Sequence, residues 1–160
     1  MSSLRCEHSE TPVSDDEVVL KCLYTPGFVD ANGVLTTENL KVEELLAKQR
    51  ANDLCGNSNG TSVFRERRTG QLQAEKVLRE LVAERPDRKP RTPVGYSAFV
   101  VSRLKELSDS ALEVVDDGCA DQPEHAVIRT VAPDFAPGAL RVMRERLLLE
   151  MSQDIRQFAG

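Results

Sequence analysis

Ser14-Asp15-Asp16-Glu17-Val18-Val19-Leu20-Lys21-Cys22-Leu23-Tyr24 is the stretch whose conformation decides what kind of fold the chain can adopt. Its opening residues have the capping-box form, in which the Ser14 side chain accepts from the backbone N–H near Glu17 while the Glu17 carboxylate reaches back. Val18 to Tyr24 is rich in β-formers and too short for periodicity alone to separate a buried strand from a helix. We read a turn of helix followed by a strand. Thr25-Pro26-Gly27 and Asp30-Ala31-Asn32-Gly33 then supply turn chemistry, because proline presets φ and Gly or Asn tolerates φ above zero.

Upstream of this stretch the chain is polar and lacks periodicity, so residues 1–13 are expected to form a disordered leader. Downstream, Thr36 or Thr37 can cap a partly amphipathic helix carrying Leu40, Val42, Leu45, Leu46 and Ala47 to near Ala51, stopped by Cys55-Gly56-Asn57-Ser58-Asn59-Gly60. Thr61-Ser62-Val63-Phe64 is β-prone. From Gln71 to about Glu84, Ala74, Val77, Leu78, Leu81 and Val82 fall on one face of a helix. Residues 85–93 contain Pro86, Pro90 and Pro93 among basic side chains and read as an exposed connector, since proline donates no backbone hydrogen bond and pushes its predecessor out of the α region.

Tyr96 to Leu107 reads as a helix, with Val100, Leu104 and Leu107 on a shared face. Leu112-Glu113-Val114-Val115 reads as a strand closed by Asp116-Asp117-Gly118, and His125 to Val131 reads equally as a helix start or a strand throughout. Pro137 suits the first turn of a final helix, in which Leu140, Met143, Leu147, Leu148, Met151, Ile155 and Phe158 form one broad stripe. The sum is α+β: a single domain over 14–160, with a small mixed sheet, about four helices and a long C-terminal amphipathic helix.

The composition narrows the class. The chain has 160 residues and carries 21 Lys+Arg against 26 Asp+Glu, a formal charge of −5. A domain of this length buries roughly 68–70% of the surface its unfolded chain exposes, enough for a core without disulfides or structural metals. The acidic balance argues against non-specific nucleic-acid binding, which needs a basic footprint. No apolar run approaches the roughly 18 residues of a membrane span, and the N-terminal residues lack the apolar stretch of a secretory signal, so a cytoplasmic location and no membrane partner are expected. Cys6, Cys22, Cys55 and Cys119 form no C-x-x-C pair and are expected to stay free thiols. A zinc site would have to gather Cys6, His8, Cys119 and His125 from opposite ends of the chain, so neither a metal nor a cofactor is expected.

Several constellations carry candidate chemistry. Arg65, Arg68, Arg88 and Arg91, on either side of the central helix, could present guanidinium forks to phosphate or carboxylate, although no interleaved aromatics provide base stacking. In Asp116 to His125, Cys119 and His125 could act as nucleophile and base with Asp121 or Glu124 orienting the imidazole; equally, the segment is a loop whose side chains bond locally. Gly-rich phosphate fingerprints are absent. On the final helix, Leu140, Met143, Leu147, Met151 and Ile155 could dock on a partner, or bury at home as ordinary core.

Ser14 to Leu20, the Asp-Ala-Asn-Gly turn, Ser62-Val63-Phe64-Arg65 and Pro123-Glu124-His125-Ala126-Val127-Ile128 together resemble a group of small, uncharacterised bacterial proteins. This resemblance spans residues 14 to 131 and implies no activity. The chain also resembles ADP-ribosyltransferase-like domains in having a basic residue on an early strand, a later Ser-bearing strand and an acidic group. That resemblance implies that Lys21, where such domains carry Arg or His, would hold a dinucleotide, with Ser62 on the strand and Glu124 orienting a ribose hydroxyl. The expected function is a non-enzymatic bacterial accessory protein that docks on a protein partner or self-associates through the terminal helix. The alternative is a small nucleotide-dependent transferase or hydrolase with Glu124 and His125 at its site. An RNA-contacting role through the arginine loops would weaken steeply with salt.

Overall fold

A computed structural model of the chain describes residues 13–45, 60–66, 70–83, 90–118, 124–132 and 135–157. The expected leader, apart from Val13, lies outside them, as do residues 85–89 of the basic connector, whose last two residues, Thr92 and Pro93, belong to a strand. In chain order the described elements are β1 (Val18–Thr25), a 3₁₀ turn (Thr37–Leu40), a single helical turn α1 (Val42–Leu45), β2 (Thr61–Arg65) and α2 (Gly70–Val82), followed by β3 (Thr92–Val100), α3 (Val101–Leu107), β4 (Leu112–Asp116), β5 (His125–Thr130), α4 (Pro137–Met151) and β6 (Ile155–Gln157).

The strands form one six-stranded sheet in the order β4-β5-β2-β1-β3-β6. All its strand pairings are antiparallel. The expectation of a mixed sheet with about four helices is corrected accordingly: among the described residues the sheet is antiparallel and is accompanied by three helices, α2, α3 and α4, with α1 described over one turn.

The opening stretch shows how local signals are overruled. The Glu17 carboxylate does reach back to the Ser14 N–H at 2.8 Å, but the Ser14 hydroxyl donates to Asp16 and the Glu17 N–H donates to the Ser14 carbonyl. The result is a turn that delivers the chain straight into β1. The downstream turn follows its chemistry, with Asp30 Oδ1 accepting from the N–H groups of Asn32 and Val34 and Gly33 at φ +80°.

Two further corrections concern boundaries. Tyr96 to Val100 is strand, and the helix starts only at Val101. Tyr96, Ala98 and Phe99 are buried in a strand that lies between two others, where aromatic and β-branched residues pack on both faces of the pleat. The C-terminal stripe is likewise cut. α4 ends at Met151, Ser152 and Gln153 make a turn, and Ile155 pairs with Ser97 in β6.

The sheet separates two apolar clusters. α3, α4, the 3₁₀ turn and α1 enclose the larger, which holds Val19, Leu23, Leu40, Val63, Phe99, Leu104, Ile128 and Leu147. α2 covers the other face over β1, β2 and β3, where Leu20, Phe64, Ala74, Leu78 and Tyr96 meet. Alternation along each strand therefore sends successive residues into different environments.

Candidate functional site

Ser62, Phe64 and His125 share a sheet face. Phe64 stands opposite His125 and Ser62 opposite Val127 in the β2–β5 ladder, so Ser62 and His125 are diagonal neighbours. β4 adds a third residue from its far end. Glu113, Val115 and Asp117 alternate onto this face, and the Asp117 N–H donates to the His125 carbonyl at 2.9 Å.

The side chains then connect in series. His125 Nδ1 lies 2.8 Å from Asp117 Oδ2, and His125 Nε2 lies 3.1 Å from Ser62 Oγ. In the tautomer that donates from Nδ1 to the Asp117 carboxylate, Nε2 presents its lone pair to the serine hydroxyl. The Phe64 and His125 rings meet in a T-shaped contact, with centroids 5.4 Å apart. The His125 side chain is 8% exposed and that of Asp117 1%, whereas Ser62 is exposed. A buried carboxylate thus orients a buried imidazole toward the hydroxyl of an exposed serine, the arrangement in which an imidazole acts as general base for a nucleophile.

The other candidates fall elsewhere. Lys21 follows Leu20, which pairs with Phe64, so its side chain belongs to the face opposite Ser62. Its ammonium is buried, 4.5 Å from the centre of the Phe28 ring, and burial pulls its pKa down from 10.5 to about 8. Glu124 is buried too; its carbonyl accepts from the Arg65 N–H and its own N–H donates to Gln73 Oε1. Lys21 and Ser62 do not meet, so the site that the ADP-ribosyltransferase resemblance implies is not assembled.

Arg65 is no open anion contact, because its fork is filled by Glu17 and Asp116 inside the protein. Arg91 lays its guanidinium over Tyr24, 4.7 Å from the ring centre. Arg68 and Arg88 lie outside the described residues, as do Cys119 and Asp121. Leu140, Leu147 and Met151 are buried in the larger cluster, Met143 and Ile155 pack against it, and α4 thereby turns its stripe inward. Among the described residues no three metal-ligating side chains converge, and no helix is long and apolar enough to cross a membrane.

No family model, curated protein or solved structure matches this chain. The site is accordingly read from its own geometry. Sequence reasoning picked out Ser62 and His125 for separate reasons and missed Asp117. The signal for Asp117 was available: strand period two carries Glu113 and Val115 on to Asp117, and a strand beginning at His125 could return beside it.

Proposed function

We propose that the protein is a small serine-dependent hydrolase or acyl transferase, with Ser62 as nucleophile, His125 as general base and Asp117 as the carboxylate that orients the imidazole. The observation that carries this reading is the unbroken Asp117–His125–Ser62 series, in which Ser62 is the exposed residue. Ser62 Oγ attacks the acyl carbon of an ester or thioester as its proton passes to His125 Nε2. The imidazolium, stabilised by Asp117, returns that proton to the leaving group as the acyl bond breaks. Water, or an acceptor alcohol or amine, then repeats the sequence and frees Ser62.

This reading displaces the expected partner-docking role, whose main support was the apolar stripe of α4 that is buried at home. It keeps the hydrolase or transferase half of the alternative. The nucleotide half drew on Lys21, Ser62, Glu124 and His125; Ser62 and His125 meet, whereas the Lys21 side chain belongs to the opposite face of the sheet.

The test is covalent labelling of the full chain with an alkyl fluorophosphonate, read by peptide mass spectrometry alongside hydrolysis of p-nitrophenyl acetate. A single adduct on Ser62 is expected, absent from S62A and formed about 100-fold more slowly in H125Q. Adducts scattered over other residues, or hydrolysis that survives S62A unchanged, would overturn the assignment.

A further inference from the structure

Arg65 lies on β2 three residues beyond Ser62, and its side chain belongs to the opposite face of the sheet. The guanidinium is 1% exposed. Nε and Nη2 donate to the two Glu17 carboxylate oxygens at 2.8 and 2.6 Å, and Nη1 donates to Asp116 Oδ2 at 2.5 Å. The backbone N–H of the same residue donates to the Glu124 carbonyl at 2.8 Å. Asp116 and Glu124 immediately precede Asp117 and His125. One arginine therefore grips the chain directly before each member of the buried acid–imidazole pair, by its side chain in one case and its main chain in the other.

The grip continues around Asp117. The second Asp116 oxygen, Oδ1, accepts from the Gly118 N–H at 2.8 Å, so the Asp116 carboxylate is fixed on the arginine and on the residue after Asp117 at once. The Asp117 N–H in turn donates to the His125 carbonyl. A planar, permanently charged fork with five donors can hold two carboxylates in fixed directions, which a lysine ammonium cannot. Misplacing a reacting group by about 1 Å can cost a factor of about 100 in rate, so a residue that fixes both strand ends has leverage on chemistry it does not touch.

We propose that Arg65 is a positioning residue of the Ser62 site, acting across the sheet through Asp116 and the Glu124 carbonyl to hold Asp117 and His125 in register. The proposal rests on the serine-enzyme reading for its catalytic consequence, but not for its structural claim. Glu17 provides the control. It shares the same guanidinium, yet it precedes β1, and its carboxylate accepts in addition from the Ser14 N–H.

The experiment compares E17Q and D116N in the full chain by two measurements. The first is the low-field proton resonance of His125 Nδ1–H, assigned by its loss in H125Q. The second is the rate of fluorophosphonate labelling at Ser62. Each substitution removes one carboxylate from Arg65. The resonance should persist in E17Q and disappear or shift in D116N, and labelling should slow about tenfold or more in D116N but stay within about threefold of wild type in E17Q. If D116N does not fold, R65K is read in the same way, since lysine keeps the charge but loses the fork. Resonance and labelling unchanged in D116N and R65K, or changed equally by E17Q, would overturn the positioning role. A wild-type chain that shows the resonance but never reacts at Ser62 would overturn the serine-enzyme reading, while the response of the resonance to D116N still decides the role of Arg65.

Discussion

Lys21 and Cys22 are adjacent in sequence and buried on opposite sides of the same strand, and burial moves their titrations in opposite directions. Desolvation disfavours the charged form of each, which lowers the lysine to about 8 and raises the thiol from 9.0 to about 11. For Lys21 the unfolded chain holds its proton to higher pH than the native one does, so the native state gains stability as pH rises from about 8 toward 10.5. The full difference is about 3 kcal/mol by the usual conversion. Cys22 opposes this from about pH 9 upward, because the unfolded thiol ionises first and the native state then loses ground until about pH 11. Urea denaturation from pH 7 to 9 should therefore show rising stability in the wild type. K21M should be more stable than wild type at pH 7 and should flatten the rise; an unchanged slope in K21M would assign the pH dependence to other groups.

Elements show which apolar faces belong to the core. On α4, Leu147 is 2% exposed within the larger cluster while Leu149, two residues on, is 70% exposed. Placing a carboxylate at the first position leaves a buried charge without a partner, so L147D is expected to lose more than about 3 kcal/mol and with it cooperative unfolding. L149D should stay within about 0.5 kcal/mol of wild type. Denaturation with light scattering checks both, and a folded, dissociated L147D protein would return the stripe to the role of an interface. The start of α2 is packed as closely. A Cβ on Gly70 would stand 1.8 Å from the Arg65 carbonyl oxygen, a backbone atom that cannot swing aside. G70A should cost about 1–3 kcal/mol by displacing the helix or the end of β2, and a melting temperature equal to wild type would refute that packing.

At the scale of the whole molecule, the hydrogen-bonded series joins β4, β5 and β2, with His125 and Ser62 63 positions apart in the chain. Its assembly depends on strand order. β2 lies between β5 and β1 although two helices and two strands intervene in sequence between β2 and β5, and no local pattern encodes that choice. What the sequence determined by itself was what short-range physics controls: β-formers at Val18 to Tyr24, turn residues at Asp30 to Gly33, the apolar spacing of α2, the strand at Leu112 to Val115 and the proline-led start of α4. Periodicity also identified the α4 stripe but not its destination, because an apolar face is equally satisfied by a partner or by its own sheet. Only the tertiary structure decided that Tyr96 to Val100 is strand, since propensity yields to burial on both faces of a sheet. Only it turned Arg65 from a surface charge into a buried clamp, and only the antiparallel register set Asp117, His125 and Ser62 side by side. The reason is physical: sequence patterns report what each segment can bury, and convergence of three strands is fixed by which segments bury one another.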